Sequence, residues 1–334
     1  MDKIAFSFII PVYNRPTEIK ELLNSFLNLE GEHNFEIVIV EDGSNDTSKD
    51  IVKSFSTKLN ISYFFKSNSG PGDSRNYGML NAQGNYFIIL DSDVLLPTKY
   101  LSIVSSFLET TYYDCFGGPD AAHQSFTNLQ KAINFAMTSF LTTGGIRGGK
   151  KQIENFQPRS FNMGLSKAAF IASGGFGKIH PGEDPDLALR LNKLGYKTTL
   201  IDEAFVYHKR RISWSKFYSQ VHKFGMVRPI LNQWHPNSKS LVYWFPTVFV
   251  LGLVVSILLL ILQIKLPIYL YIIYFTVAFF LALFDSRSPV VASKAVLAIL
   301  IQFFGYGYGF LKSTLAINLS SKSPQEQFPY LFFK

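Results

Sequence analysis

The chain of 334 residues contains a single cysteine, Cys115. One cysteine excludes an intramolecular disulfide and agrees with a reducing compartment, and we interpret Cys115 as a small buried hydrophobe. A cleavable secretory signal is also missing, because the first apolar run, residues 4–10, stops at Pro11 and is typical of a strand. We therefore expect the N-terminal part of the chain to stay in the cytoplasm.

Two common nucleotide-binding signatures are absent as well. The stretch "SGPGDSRNYG" (69–78) is rich in glycine, but it lacks both the Gly-Lys-Ser/Thr ending of a Walker loop and the GxGxxG pattern. The sequence therefore argues against ATP or NAD binding by those routes. A helix cap explains the stretch without function. The functional interpretation is a backbone that approaches a ligand closely, with Arg75 ready to bind an anion.

Charged residues are missing where the apolar residues are densest. Residues 241–262 carry no charge, and they are long enough to cross about 30 Å of hydrocarbon as a helix. Residues 268–284 form a second candidate span. A third segment, residues 296–311, contains Gln302 and several glycines, so it either spans the membrane or lies in its interface.

The net charge is +8, and many of the basic residues stand just before the first apolar segment. They alternate with aromatic residues, a pattern typical of helices at the cytoplasmic surface of a membrane that contains anionic lipid. Nucleic acid is the alternative, but no nucleic-acid-binding motif is present, so we expect lipids as the partner. The basic residues are Lys209, Arg210, Arg211, Lys216, Lys223, Arg228 and Lys239.

The first hundred residues alternate between strand and helix patterns. Apolar, β-branched runs predict strands at 6–13, 35–44, 61–66 and 86–93, and helical spacing or composition predicts helices at 17–29, 47–59 and 72–82. This alternation predicts an α/β domain with a mostly parallel sheet. Polar motifs follow three of the strands, at the edge where such sheets bind ligands.

One of these motifs, "DSD" at 91–93, predicts a metal site. At alternate positions of an extended segment, Asp91 and Asp93 point the same way and can converge on one ion. Oxygen ligands of this kind suit Mg²⁺ or Mn²⁺, which are typically shared with substrate phosphates. After the second strand, Asp42 is either an ordinary turn residue or an acceptor for a nucleobase or ribose.

Taken together, the motifs resemble glycosyltransferase family 2, the inverting enzymes with a GT-A fold. They are "PVYNR", "EDGSND", "GPGDSRNYG", "DSD" and "GEDPDLALRL", in the family's order and spacing over about residues 5–230. The resemblance implies a Rossmann-like GT-A catalytic domain, which we place at 1–212. We place amphipathic interface helices at 213–240 and two or three transmembrane helices at 241–334.

The resemblance also implies roles for individual residues. Asp184 is the general base, and Glu183 positions the acceptor or the base. Asp91 and Asp93 bind Mn²⁺ or Mg²⁺, with His208 as the third ligand that some relatives use. Asn162 and Gln220 lie on the acceptor side. The residues implied in nucleotide-sugar binding are Pro11, Tyr13, Asn14, Arg15, Glu41, Asp42, Arg75, Asp91 and Ser92.

The expected activity is transfer of one sugar from a UDP-sugar, or alternatively a GDP-sugar, to a lipid-linked or membrane-proximal acceptor. The stretch "QVHKF" (220–224) departs from the Q-x-x-R-W signature of processive synthases, which favours single transfer. We expect a multi-pass protein of the inner membrane with a cytoplasmic catalytic domain. The alternatives are transfer to a polyprenyl phosphate, as in dolichyl-phosphate mannose synthases, and a non-catalytic nucleotide-sugar-binding subunit of a cell-envelope complex.

Overall fold

A computed structural model describes residues 3–31, 34–121, 126–144, 156–209 and 213–333. The chain divides into two compact units. Unit 1 comprises Met1–His123, Lys150–Lys209 and Phe332–Lys334, and unit 2 comprises Gln124–Gly149 and Arg210–Leu331. Arg210 and Arg211 of the basic run lie outside the described residues.

Unit 1 is built on a mostly parallel sheet with strand order β3-β2-β1-β4-β8-β6-β9. Strand β8 runs antiparallel to its neighbours β4 and β6, while the other pairs are parallel. A small second sheet has the order β5-β10-β7. The predicted α/β class is confirmed. The strands are β1 Phe6–Val12, β2 Phe35–Asp42, β3 Ile61–Lys66, β4 Tyr86–Leu90, β5 Val94–Leu95, β6 Cys115–Gly117, β7 Asp120–Ala121, β8 Asn162–Ser166, β9 Thr198–Leu200 and β10 Val206–His208.

Helices cover both faces of the large sheet, which explains why its central strands are almost continuously apolar. Phe8 and Ile10 of β1 pack on one side with the first helix, and Ile9 packs on the other side with Met79 of the third helix. The α-helices up to residue 193, of which α5 and α6 belong to unit 2, are α1 Pro16–Leu27, α2 Lys49–Phe55, α3 Pro71–Asn81, α4 Tyr100–Thr110, α5 Asn128–Thr138, α6 Phe140–Thr143, α7 Lys167–Ser173 and α8 Glu183–Lys193.

Strand β4 is shorter than predicted. It ends at Leu90, so the prediction of a strand continuing to residue 93 is wrong. Its pairing with β1 stops at Ile89 and its pairing with β8 at Leu90, after which the chain turns. The carbonyl of Asp93 accepts a hydrogen bond from the Lys209 amide at 3.0 Å, which holds this turn next to β10.

Unit 2 contains helices long and apolar enough to cross a membrane. The candidate spans are Leu241–Ile261, Leu266–Ser286 and Pro289–Leu319, and 11%, 11% and 44% of their most apolar windows are buried within the protein. The third span is therefore far more covered by protein than the other two. The remaining helices of unit 2 are α9 Trp214–Trp234, α10 Phe245–Ile261, α11 Leu266–Ser286, α12 Pro289–Leu319 and α13 Pro324–Gln327.

Helix α12 is covered because it packs closely on α9. A Cβ atom added to Gly225 would overlap the backbone of Tyr306, and one added to Gly309 would overlap the backbone of His222. Small residues allow two helix backbones to approach in this way. The helix is 31 residues long and extends beyond the predicted segment 296–311 at both ends.

The chain rejoins unit 1 at Phe332 and Phe333. Phe332 forms an antiparallel bridge with Ile179, and the amide of Phe333 donates to the carbonyl of Lys178 at 3.0 Å. The ring of Phe333 lies directly on Gly70, because a Cβ atom at Gly70 would overlap it. These two residues are thus part of the fold of unit 1, although they lie more than 120 positions after Lys209 in the sequence.

Candidate active site

Asp42 ends β2 and is held by the loop that leads into α3. Its carboxylate accepts hydrogen bonds from Lys66 Nζ at 2.8 Å and from the amides of Ser69 at 3.0 Å and Gly70 at 2.9 Å. Gly70 has φ +95°, a conformation that glycine adopts without strain. Our sequence analysis missed Lys66, although its position at the carboxyl end of a predicted strand was a usable signal. These hydrogen bonds fix the Asp42 carboxylate at the carboxyl end of β2.

Glu41 and Asn14 shape the neighbouring loops. Glu41 is fully buried and accepts hydrogen bonds from the Ser48 amide at 2.8 Å and the Tyr63 hydroxyl at 3.2 Å. Asn14 has φ +52°, and its side-chain oxygen accepts from the amides of Asn45 and Asp46 at 2.9 and 3.1 Å. Both side chains therefore hold the β2–α2 loop.

Two other residues of the first motif differ sharply in exposure. Pro11 is buried within β1. Tyr13, just after the end of β1, is 52% exposed, so its ring is free to contact a ligand. Ser92 is buried within the turn that follows β4.

The structure brings Asp91, Asp93 and His208 together. Their ligand atoms all lie within 4.8 Å of one another. Strand β10 pairs with β5, which sets His208 opposite Val94 and next to the "DSD" turn. The imidazole Nε2 of His208 lies 3.3 Å from Asp93, and the ring stacks on Phe161. Two carboxylates and an imidazole fit a divalent cation such as Mn²⁺.

Each of these two carboxylates also has an arginine partner. Arg15 donates to Asp93 at 2.8 Å, and Arg75 donates to Asp91 at 2.7 Å. The Arg15 side chain is 32% exposed, whereas that of Arg75 is 4% exposed. A cation binding at Asp93 competes with Arg15, which is the more solvated of the two guanidinium groups.

Arg75 connects the "DSD" turn with the start of α8. Its Nη1 donates to Glu183 at 3.0 Å, while Nη2 holds Asp91. Glu183 also lies 3.0 Å from Nδ1 of His180. Burial alone would raise the pKa of Glu183, but His180 and Arg75 lower it to about 2. Glu183 is therefore ionised throughout the physiological pH range.

Asp184 follows Glu183 in the first turn of α8, with Arg159 at 3.7 Å. Burial raises the pKa of Asp184; the charge of Glu183 adds to this effect and Arg159 opposes it. A carboxylate with a raised pKa is a stronger base, which suits the abstraction of a hydroxyl proton.

Arg159 and His180 were not found by sequence analysis. The spacing of His180 three residues before Glu183 was the available signal for that residue.

The two predicted acceptor-side residues lie in different places. Asn162 is fully buried in β8, where it accepts from the Tyr100 hydroxyl at 2.6 Å and donates to the Ala204 carbonyl at 2.8 Å. This side chain thus joins β8 to α4 and to the loop that precedes β10. Gln220 lies on α9, in unit 2.

Comparisons with known proteins agree on the family. Residues 7–172 match the family described as Glycosyl transferase family 2. An uncharacterised glycosyltransferase of Rickettsia felis is 41% identical over 103 residues, which are 31% of this chain and 17% of that protein. The poly(ribitol-phosphate) beta-N-acetylglucosaminyltransferase TarS of Staphylococcus aureus is 34% identical over 112 residues, 33% of this chain and 20% of that protein. The matched segments thus span less than two thirds of either relative.

Among solved structures, the mannosyltransferase PcManGT from Pyrobaculum calidifontis, in complex with GDP-Man and Mn²⁺, has the same fold. The TM-score is 0.58 at 15% identity, over 90% of this chain and 86% of that one. At this identity the likeness concerns the fold alone. The sequence match, which covers β1 to α7, carries the assignment. Residues 7–172 of the chain thus form a domain of glycosyltransferase family 2.

Proposed function

We propose that the protein is an inverting glycosyltransferase that moves a single sugar from a nucleotide-sugar donor to a lipid-linked acceptor at a membrane surface. The observation that carries the proposal is the bridge made by Arg75, 2.7 Å from Asp91 and 3.0 Å from Glu183. It links a set of cation ligands to the pair of acids at the start of α8. An inverting transfer needs these two groups near each other, because the base and the leaving group act on opposite faces of one carbon.

In this proposal, Asp184 takes the proton of the acceptor hydroxyl. Its raised pKa favours proton uptake, and Glu183 next to it keeps its negative charge, so the two acids have separate tasks. Direct displacement with inversion forms no covalent intermediate, so no protein nucleophile is required. Arg75 is placed to stabilise negative charge on the departing diphosphate.

Asp91, Asp93 and His208 would hold a divalent cation, either Mn²⁺ or Mg²⁺. When bound, such a cation neutralises the charge that develops on a leaving diphosphate. Arg15 is expected to exchange its partner from Asp93 to the donor's phosphates. Asp42 is assigned to the nucleobase, and a UDP-sugar is the expected donor, with a GDP-sugar as the alternative.

The path of the chain supports a proposed membrane arrangement. The chain leaves unit 1 after Lys209 and rejoins it at Phe332, with the candidate spans in between. If unit 1 lies wholly on one side of the membrane, the chain crosses that membrane an even number of times between those points. We propose that α10 and α11 cross and that α12 lies along the surface. The larger buried share of α12, 44% against 11% for each of the others, supports this assignment. Unit 1 is proposed to face the cytoplasm at the inner membrane.

The test uses the full chain in detergent or lipid nanodiscs. Thermal shift with a panel of nucleotide sugars, with and without Mn²⁺, identifies the donor, because a bound ligand stabilises the folded state. Transfer of radiolabelled sugar is then measured to a glycosylated lipid and, separately, to a polyprenyl phosphate. Asp184→Asn is expected to bind the donor and lose transfer, while Asp202→Asn, at an exposed position, behaves as wild type. Donor binding without transfer to any acceptor would favour the non-catalytic subunit.

A further inference from the structure

Phe332 and Phe333 contact two loops that both lead to proposed catalytic residues. On one side, the Phe333 ring covers Gly70, whose amide donates to Asp42 at 2.9 Å. On the other side, the Phe333 amide donates to the Lys178 carbonyl at 3.0 Å, and Phe332 pairs with Ile179. The two residues thus lie between the loop that holds Asp42 and the loop that precedes α8.

Each of these loops leads to one partner of the ion pair between Arg75 and Glu183. The first loop runs into α3, which begins at Pro71 and carries Arg75. The second contains His180, which is bonded to Glu183 and lies with its ring centre 5.8 Å from that of Phe333. A displacement of either loop would therefore move Asp42, Arg75 or Glu183 relative to the others.

The sequence at Gly70 suits this contact. Any side chain at residue 70 would overlap the aromatic ring of Phe333, and φ +95° disfavours other residues there. The Phe333 ring therefore fills the space that a side chain at residue 70 would occupy.

We propose that Phe332 and Phe333 form a positioning element of the donor site. They hold the Ser69–Gly70 loop against the Lys178–His180 loop, and so keep Asp42 and Arg75 in place for the nucleotide. Phe332 and Phe333 follow the apolar helices of unit 2 in the sequence but belong to unit 1, so residues from distant parts of the chain build the donor site. The identity of the ligand rests on the proposed function; the clamping of the loops does not.

The first test measures donor binding by calorimetry and steady-state transfer for Phe333→Ala in the full chain. Losing about half of a phenylalanine's burial energy predicts a donor Kd about tenfold higher than that of the wild type. The donor KM should rise in parallel, while kcat at saturating donor is largely retained, since bound donor restores the loop. Phe333→Leu, which keeps an apolar side chain on Gly70, should recover most of the affinity.

The matched control is Tyr330→Ala, which removes an aromatic side chain three residues earlier. Tyr330 is 56% exposed and its hydroxyl contacts the sulfur of Met226 in unit 2, so donor affinity should stay as in the wild type. Hydrogen exchange supplies a readout that needs no ligand. The amides of Ser69 and Gly70 should exchange faster in Phe333→Ala, while those within β2 are unchanged.

Two results would overturn the proposal. One is unchanged donor affinity in Phe333→Ala together with unchanged exchange at Ser69 and Gly70. The other is tighter donor binding in that variant, which would mean that the segment obstructs the site. A wild-type protein that binds no nucleotide sugar would refute the proposed function, and hydrogen exchange would then still decide whether the two residues hold the loop.

Discussion

Arg15 offers a sharp test of the cation site, because it occupies one of the proposed ligands. Its guanidinium donates to Asp93 at 2.8 Å, and a cation at Asp93 has to compete with that ion pair. Arg15→Gln removes the competitor and leaves Asp91, Asp93 and His208 intact. The variant is therefore expected to bind Mn²⁺ more tightly than the wild type when no donor is present.

The size of the expected change in the Kd for Mn²⁺ follows from the solvent exposure of the Arg15 and Asp93 side chains. The Arg15 side chain is 32% exposed and that of Asp93 is 11% exposed, so the pair is screened by water on one side only. Ion pairs of this kind contribute up to about 1 kcal/mol. Removing the pair predicts a Kd for Mn²⁺ that is roughly fivefold lower, since 1.4 kcal/mol corresponds to a factor of ten. Loss of one positive charge near the ion acts in the same direction.

The assay is titration of Mn²⁺ by calorimetry at fixed pH and salt. A second titration measures the concentration of the free ion by electron paramagnetic resonance. Lys53→Gln on α2 is the control, because it removes one positive charge at an exposed position of unit 1. Equal or weaker Mn²⁺ binding in Arg15→Gln would refute the reasoning. In that case either the ion binds elsewhere or Arg15 helps to build the site.

Further predictions concern the acids and the membrane path. The pKa of Asp184 is raised and the base must be ionised, so kcat should rise with pH through that pKa and then level off; a rate that falls over this range would contradict its role as base. His180 and Arg75 lower the pKa of Glu183 from 4.5 to about 2, so its ion pairs stabilise the fold above pH 4.5 and lose this effect as the pH falls toward 2; chemical unfolding at several pH values should show a shallower acid dependence for Glu183→Gln. Thiol labelling of sealed vesicles should reach Lys265→Cys only from the side opposite unit 1, whereas Ser321→Cys should be labelled from the same side as Lys53→Cys. Labelling of Ser321→Cys from the opposite side would mean that α12 crosses.

Much of the sheet could be predicted from the sequence because its signals are local. Strands β1, β2 and β4 are apolar runs that end in polar motifs, and the ligand edge of a parallel sheet follows from that order. The pairing of the antiparallel strand β8 and of the short strands β5, β7 and β10 could not be predicted, because it is decided by partners distant in sequence. The turn at Asp91 was not predicted either, because it depends on the hydrogen bond from the Lys209 amide to the Asp93 carbonyl.

The candidate site likewise contains residues that the sequence predicted and residues that it did not. Asp91, Asp93 and His208 were assigned to one cation from motif and resemblance, and the fold brings them within 4.8 Å. The partner Arg159 carries no motif of its own, because a single basic side chain is common at any surface. Its contact with Asp184 comes from long-range packing, which one sequence alone does not reveal.

The single thiol of the chain has a practical consequence. Cys115 lies in β6 with no exposed surface, and burial raises its pKa, so the reactive thiolate form is scarce. Maleimide and nitroxide reagents should therefore spare it in the folded protein. Fluorescent or spin probes can therefore be attached at one or two chosen positions without first engineering a cysteine-free background, and the distance between a pair of labels can be measured directly in native lipid.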